Sequence, residues 1–323
     1  MPLSDETKTL CQELLCYFFL PFDFEDERND ILEIAKKLPK NISPIAETFV
    51  DRLSATIQTT ATPYLLANQA AHDKHFQRIS MAARIRALKL VTEGTETDAM
   101  LEKRRSEEAI LNSKKNMAEF CASEEGLDAI CSETAHFLLR LHKTDEIGSV
   151  ARELLLQGLF STWSALELLI GDGLISLLNS QPQLATKFLS DPNAKRKFEI
   201  PKLNADYLSS KGFDLSKQMG SLLFEERDLS NLATIRVACD AIFEDHDLRT
   251  ALNAESLWHL NQNRHLIAHR RGVVDEEYIR NTGSKLRVGE QLNVLPNEFE
   301  STLKATISIG KKFLTSVLST SNT

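Results

Sequence analysis

Apolar residues recur at three- and four-residue spacings through most of the chain, the pattern of amphipathic helices turning roughly 100° per residue. It predicts helices over Thr7–Leu20 and Glu25–Leu38, closed by Pro21 and Pro39, which cannot continue a helix. Ser43-Pro44 opens a third, about Ser43–Thr59, with serine as cap and proline in the first turn. His72–Val91 and Asp98–Cys121 follow, separated by the polar turn Thr92–Thr97, and then Glu124–His142. A long helix over Ile147–Asn179 carries Leu156, Phe160, Trp163, Ile170, Leu174 and Leu178 on one arc and ends at Gln181-Pro182. Residues 190–216 read as a short helix in a long connection, Asp228–Phe243 as a helix, and Glu255 onward as another ended by Gly272. Lys285–Val288 and Gln291–Val294 alternate around Gly289-Glu290, which suggests a small hairpin. Pro296–Ser319 closes the chain as an amphipathic helix. The expected class is all-α, a helical bundle with a four-helix C-terminal core. The polar stretch Lys143–Gly148 divides it into an N-terminal helical region, 1–145, and a C-terminal domain, 146–323.

Two positions break the pattern. Arg264 stands amid the apolar arc of Leu257, Leu260, Ile267 and Ala268, and Glu167 stands inside the arc of the long helix. A buried charge without a partner costs several kcal/mol, and a carboxylate in such a place needs a partner or a raised pKa. Opposite charges, central on two strongly apolar helices, suggest that Glu167 meets Arg264 across a helix contact. The alternative is that Glu167 bonds a backbone group elsewhere. Asn261, His265 and His269 follow one another at spacings of four along the edge of the Arg264 stripe. One reading is a core helix whose arginine reaches solvent on its aliphatic stem; the other is a site using Arg264 and His269. His265 and His269 have metal-ligand spacing, but their neighbours Leu266 and Ile267 are not those of a zinc helix.

The stretch Asn263-Arg-His-Leu-Ile-Ala-His-Arg-Arg-Gly-Val-Val-Asp275 resembles the signature of HEPN-domain proteins, with Arg264, the polar His265 and His269 matching Arg-x4-His. Ser164-Ala-Leu-Glu167 upstream and Thr282-Gly-Ser-Lys-Leu286 downstream are similar to residues of the ribosomal-protein-linked (RiboL-PSP) HEPN group. The resemblance covers roughly residues 146–320; residues 1–140 carry none. It implies a metal-independent endoribonuclease without cofactor, leaving 2′,3′-cyclic phosphate ends, with one composite site at a homodimer interface. It also implies microbial defence or toxin roles, a regulatory or antitoxin partner, or a non-catalytic HEPN module that binds RNA or protein. Arg264 would clamp phosphate through its planar fork, and His269 would serve as acid or base near neutrality. His265 would add a second imidazole or a hold on substrate, and Glu167 and Asn261 would support the pair. Arg270, Arg271, Lys285 and Arg287, with Arg280, follow directly on this site and read either as an RNA-binding patch or as a solvated face.

Composition sets bounds on this reading. The 323 residues, 42% hydrophobic with 12 Gly and 9 Pro, fit one large or two ordinary helical domains. A net charge of −8 argues against indiscriminate nucleic-acid binding, which relies on neutralising phosphates. It leaves room for local patches, of which a second runs from Lys74 to Lys89 and reads as a solvated helix face. Five scattered cysteines without a CxxC pair suggest a reducing compartment and a cytoplasmic protein. No 18-residue apolar run is read as a membrane span, and Leu14–Leu20 after acidic Asp5 and Glu6 does not read as a signal peptide. GxGxxG, Walker and GxSxG motifs are missing, as is any paired-carboxylate cluster for a two-metal nuclease.

Overall fold

The computed structural model describes residues 3–144, 147–198, 205–210, 212, 214–224 and 229–321. In chain order its helices are α1 (Asp5–Leu14), α2 (Glu25–Ala35), α3 (Ser43–Thr60), α4 (Thr62–Ala87), α5 (Asp98–Ala122), α6 (Glu124–Lys143), α7 (Gly148–Ser180) and α8 (Leu184–Ser190). They continue with α9 (Pro192–Lys197), α10 (Ala205–Ser210), α11 (Met219–Phe224), α12 (Leu232–Ile242), α13 (His246–Leu252), α14 (Glu255–Arg270), α15 (Glu276–Thr282) and α16 (Pro296–Ser321). The chain is all-α, as its periodicity predicts. Among the described residues, strand-like pairing is limited to one antiparallel bridge between Val273 and Gln291.

Helix ends follow from local chemistry. Thr97 Oγ1 accepts from the Met100 N–H at the start of α5, and Ser123 Oγ from the Gly126 N–H at the start of α6. α1 stops at Leu14, six residues earlier than expected. Phe18 and Phe19 beyond it are both buried, and Tyr17 stacks on His142 at 3.9 Å between centroids. α4 begins ten residues before the expected His72, with Pro63 in its first turn. Its inward face is built from Ala67, Ala71, Ala83 and Ala87, small residues that pack closely without giving a hydrophobic contrast. The expected start of α12 at Asp228 and part of the 190–216 connection lie outside the described residues.

Two compact units divide the chain. One comprises Met1–Leu20 with Ala61–Glu153, the other Pro21–Thr60 with Leu154–Thr323. This is not a single cut at 145/146, because residues 21–60 belong to the second unit. The sequence reads as a row of helices, whereas α2 packs on α16 and the Phe49 ring of α3 lies against Gly310 of α16. In the first unit α4, α5 and α6 pack together, and α1 lies on α6 through Leu14, Phe18, Ala135, Leu138 and Leu139. The charges of α5 are partly used within this unit. Arg104 bonds Glu96 at 2.8 Å and Glu93 at 3.0 Å, and Arg105 reaches the Leu90 carbonyl at 2.6 Å, fastening residues 88–97 to the helix.

The part of α7 that belongs to the second unit, from Leu154 on, is apolar nearly all round, with Leu155, Leu159, Trp163, Leu166, Ile170, Leu174 and Leu178 buried. A helix of that kind belongs inside a packed core. It corrects the expectation that no membrane-length apolar run exists. An 18-residue window of α7 has a mean hydropathy of 1.4, long and apolar enough to cross a membrane, although 56% of it is buried within the protein. Ser161, Thr162, Ser164, Glu167 and Asp172 interrupt the run and hide it from a search for unbroken apolar residues.

The small hairpin is also corrected. Lys285–Val288 and Gln291–Val294 do not pair; Gly289 to Leu292 pair instead with Gly272 to Val274. The Gly289 N–H donates to the Val274 carbonyl (2.8 Å), the Val274 N–H to the Glu290 carbonyl (2.8 Å), and the Leu292 N–H to the Gly272 carbonyl (2.7 Å). Of the two alternating segments only the second, at Gln291 and Leu292, takes part in pairing, and its partner is set by the tertiary structure.

Candidate functional site

The site is built on α14. Leu257, Leu260, Leu266 and Ile267 are buried, and Asn261 lies with them at 9% exposure. Ala268, expected in the same arc, faces solvent, so the buried stripe runs through Leu266 instead. The helix ends on Arg271 in the left-handed region (φ 53°), an uncommon conformation for a residue with a Cβ. Gly272 follows at φ 77°, where an added Cβ would lie 2.9 Å from Gln291 Nε2. That amide donates to the Arg271 carbonyl at 2.8 Å, holding the reversal in place.

Glu167 and Arg264 do meet. Arg264 Nη2 lies 3.4 Å from Glu167 Oε2, and the same oxygen accepts from Trp163 Nε1 at 2.8 Å. The two side chains are 20% and 24% exposed, so the pair is partly shielded. Arg264 Nε is buried and has no hydrogen-bond partner among the described residues. Residues 97 apart in sequence are thus joined, as the two misplaced charges suggested.

His265 and His269 lie on another side of α14, exposed, with ring centroids 4.5 Å apart. They open on a cleft of about 220 Å³ whose far wall is α15. Asp275 caps α15 by accepting from the Tyr278 N–H at 2.8 Å. Tyr278 then donates its hydroxyl to Asn263 Oδ1 at 2.7 Å, and Asn281 Nδ2 donates to Gln262 Oε1 at 3.2 Å. These bonds lay α15 along α14. Burial, assisted by the charge of Glu298, pushes the Tyr278 phenol above its usual pKa, and a hydrogen bond with Thr282 opposes the shift. Arg270 and Asp275 pair across the cleft at 3.5 Å, and Glu277 adds a second carboxylate to its lining.

The fold therefore gathers His265, His269 and Arg270. Arg264, Arg271, Lys285 and Arg287 do not line that cleft. Lys285 and Arg287 are exposed on the loop after α15, where the Arg287 N–H donates to Glu290 Oε2 at 2.9 Å. Sequence reasoning missed α15 and with it Glu277 and Tyr278. The available signal was Asp275 followed by two glutamates, a helix start read instead as the tail of a motif. Among the described residues, no group of three His, Cys, Asp or Glu side chains stands close enough to hold a metal ion. Comparison of the chain with protein-family models, with curated proteins and with solved structures gave no match.

Proposed function

We propose that the chain is a metal-independent endoribonuclease of HEPN type, cleaving RNA by attack of a 2′-hydroxyl on the adjacent phosphate. The observation that carries this reading is the exposed pair of imidazoles on the cleft, on the same helix as a guanidinium held by a carboxylate. Cleavage of this kind needs a base for the 2′-hydroxyl proton, an acid for the leaving 5′-oxygen, and positive charge on the phosphate. His269 and His265 supply two groups of the first kinds. In the reaction one accepts the 2′-hydroxyl proton, the new O–P bond closes a 2′,3′-cyclic phosphate, and the other protonates the departing oxygen. Arg264 serves as the phosphate clamp, its orientation set by Glu167 and Trp163. In one chain Arg264 faces away from the imidazole cleft, so the composite site draws on a second copy.

The test is incubation of total cellular RNA in EDTA with wild type and with His269→Ala. Wild-type fragments ending in 2′,3′-cyclic phosphate, lost in the variant, are expected. The second reading is a non-catalytic HEPN-like module for RNA or protein binding. What favours it is the acidic lining from Asp275 and Glu277 and the withdrawal of Arg264 against Glu167. RNA intact with both proteins, but retained by both in a binding assay, selects that reading.

A further inference from the structure

The unit formed by residues 1–20 and 61–153 carries a groove between α4 and α5 with a volume of about 460 Å³. Its floor is made by Ala87 and Ala109, both buried, whose small side chains keep it open. Phe76, Leu88 and Ile110 line it while remaining 40%, 63% and 53% exposed. Large apolar side chains so exposed on two neighbouring helices form a contiguous patch, of the kind that marks an interaction surface.

Charge narrows the occupant. Arg84 and Lys114 line the groove, both exposed, and neither pairs with a carboxylate among the described residues. Arg105 and Glu102, also in the lining, pair with each other at 2.7 Å. The groove thus offers two uncommitted cations around an apolar floor, on a chain whose net charge is −8. From Phe76 to Leu88 it runs about 18 Å along α4, at 1.5 Å per residue. That length accommodates a helix of about twelve residues.

We propose that this groove docks an acidic amphipathic helix of a partner protein. Leu- or Ile-type side chains at i, i+3/i+4 and i+7 enter the trough between Phe76, Leu88 and Ile110, and flanking Glu or Asp side chains meet Arg84 and Lys114. The surface lies in the N-terminal part for which the RNA chemistry proposed for α14 has no use, and it does not depend on that chemistry.

The experiment titrates the full chain with two labelled synthetic helical peptides of identical leucine spacing, one flanked by glutamates and one by lysines, read by fluorescence anisotropy. The acidic peptide is expected to bind about tenfold more tightly than the basic one, with the difference shrinking as salt rises. Arg84→Glu combined with Lys114→Glu is expected to abolish the preference. Ile110→Glu should weaken the acidic peptide about tenfold while the helical circular-dichroism signal is retained; Ile110→Ser serves if the glutamate variant misfolds. Equal binding of both peptides, or no binding of either, overturns the proposal. So does self-association of the chain that Ile110→Glu abolishes, which makes the occupant a second copy. Binding to phosphatidylserine vesicles in place of the peptide, lost in the same variant, overturns it in favour of a lipid surface.

Discussion

At the scale of single residues, the contact between Glu167 and Arg264 has a definite energetic signature. Glu167→Gln leaves the guanidinium without its charge partner while its Nε already lacks one among the described residues. Because both side chains are about a fifth to a quarter exposed, water recovers part of the loss. The expected cost is about 1 kcal/mol in urea denaturation, smaller than for a fully buried charge. An unchanged midpoint, with unchanged cleavage, removes the pair as an organising contact. A second residue-scale expectation concerns pH. Asp245 accepts from the Ser316 hydroxyl at 2.6 Å and from the Leu248 and Asp247 N–H groups that it caps, and these bonds hold its carboxyl below the usual carboxylate range. A depressed folded-state pKa contributes stability above the unfolded value, about 3.9, and loses it as pH falls through the lower folded value. Ser316→Ala removes the largest cause of the shift. Its melting temperature is therefore expected to lie below wild type at pH 7 and to converge on it in strong acid.

At the scale of elements, close helix packing explains a feature that propensity disfavours. Gly310 sits inside α16, where alanine is intrinsically better by about 1 kcal/mol. An added Cβ would lie 2.4 Å from Phe49 Cε1 and 3.2 Å from Leu169 Cδ2, and overpacking of this kind costs about 1–3 kcal/mol. The clash wins because Phe49 is a buried ring with nowhere to move. Gly310→Ala is expected to lower the denaturation midpoint, and a higher midpoint shows that the ring yields. Helix existence was well read at this scale. α3, α5, α6, α7 and α16 fall within about two residues of their expected bounds, since long periodic segments leave little ambiguity. The short helices α13 and α15 escaped, because seven residues hold too few apolar positions to establish a period.

At the scale of the whole molecule, the nuclease reading carries a consequence for concentration. The imidazole cleft and the Arg264 pair occupy different sides of α14 in one chain. Cleavage per chain is expected to rise with protein concentration and level off once dimers dominate. A specific activity independent of concentration over a hundredfold range, with activity still lost in His269→Ala, removes the composite site while keeping the nuclease. Membership of residues 21–60 in the second unit also belongs to this scale. Pro21 and Pro39 bound how far α1 and α2 could run, although the helices end earlier, at Leu14 and Ala35, and they carry no information about which helices these then meet.

The sequence by itself determined the all-α class, the long helices, and the two charges whose apolar surroundings required a partner. These are local matters, set by residue spacing and the cost of burying charge. The tertiary structure alone decided that Glu167 and Arg264 are those partners, since 97 residues separate them. It also decided that residues 289–292 pair with 272–274 and that α15, rather than the Lys285–Arg287 loop, walls the histidine cleft. Backbone hydrogen bonds and apolar faces can be satisfied by several partners, and packing in three dimensions selects among them.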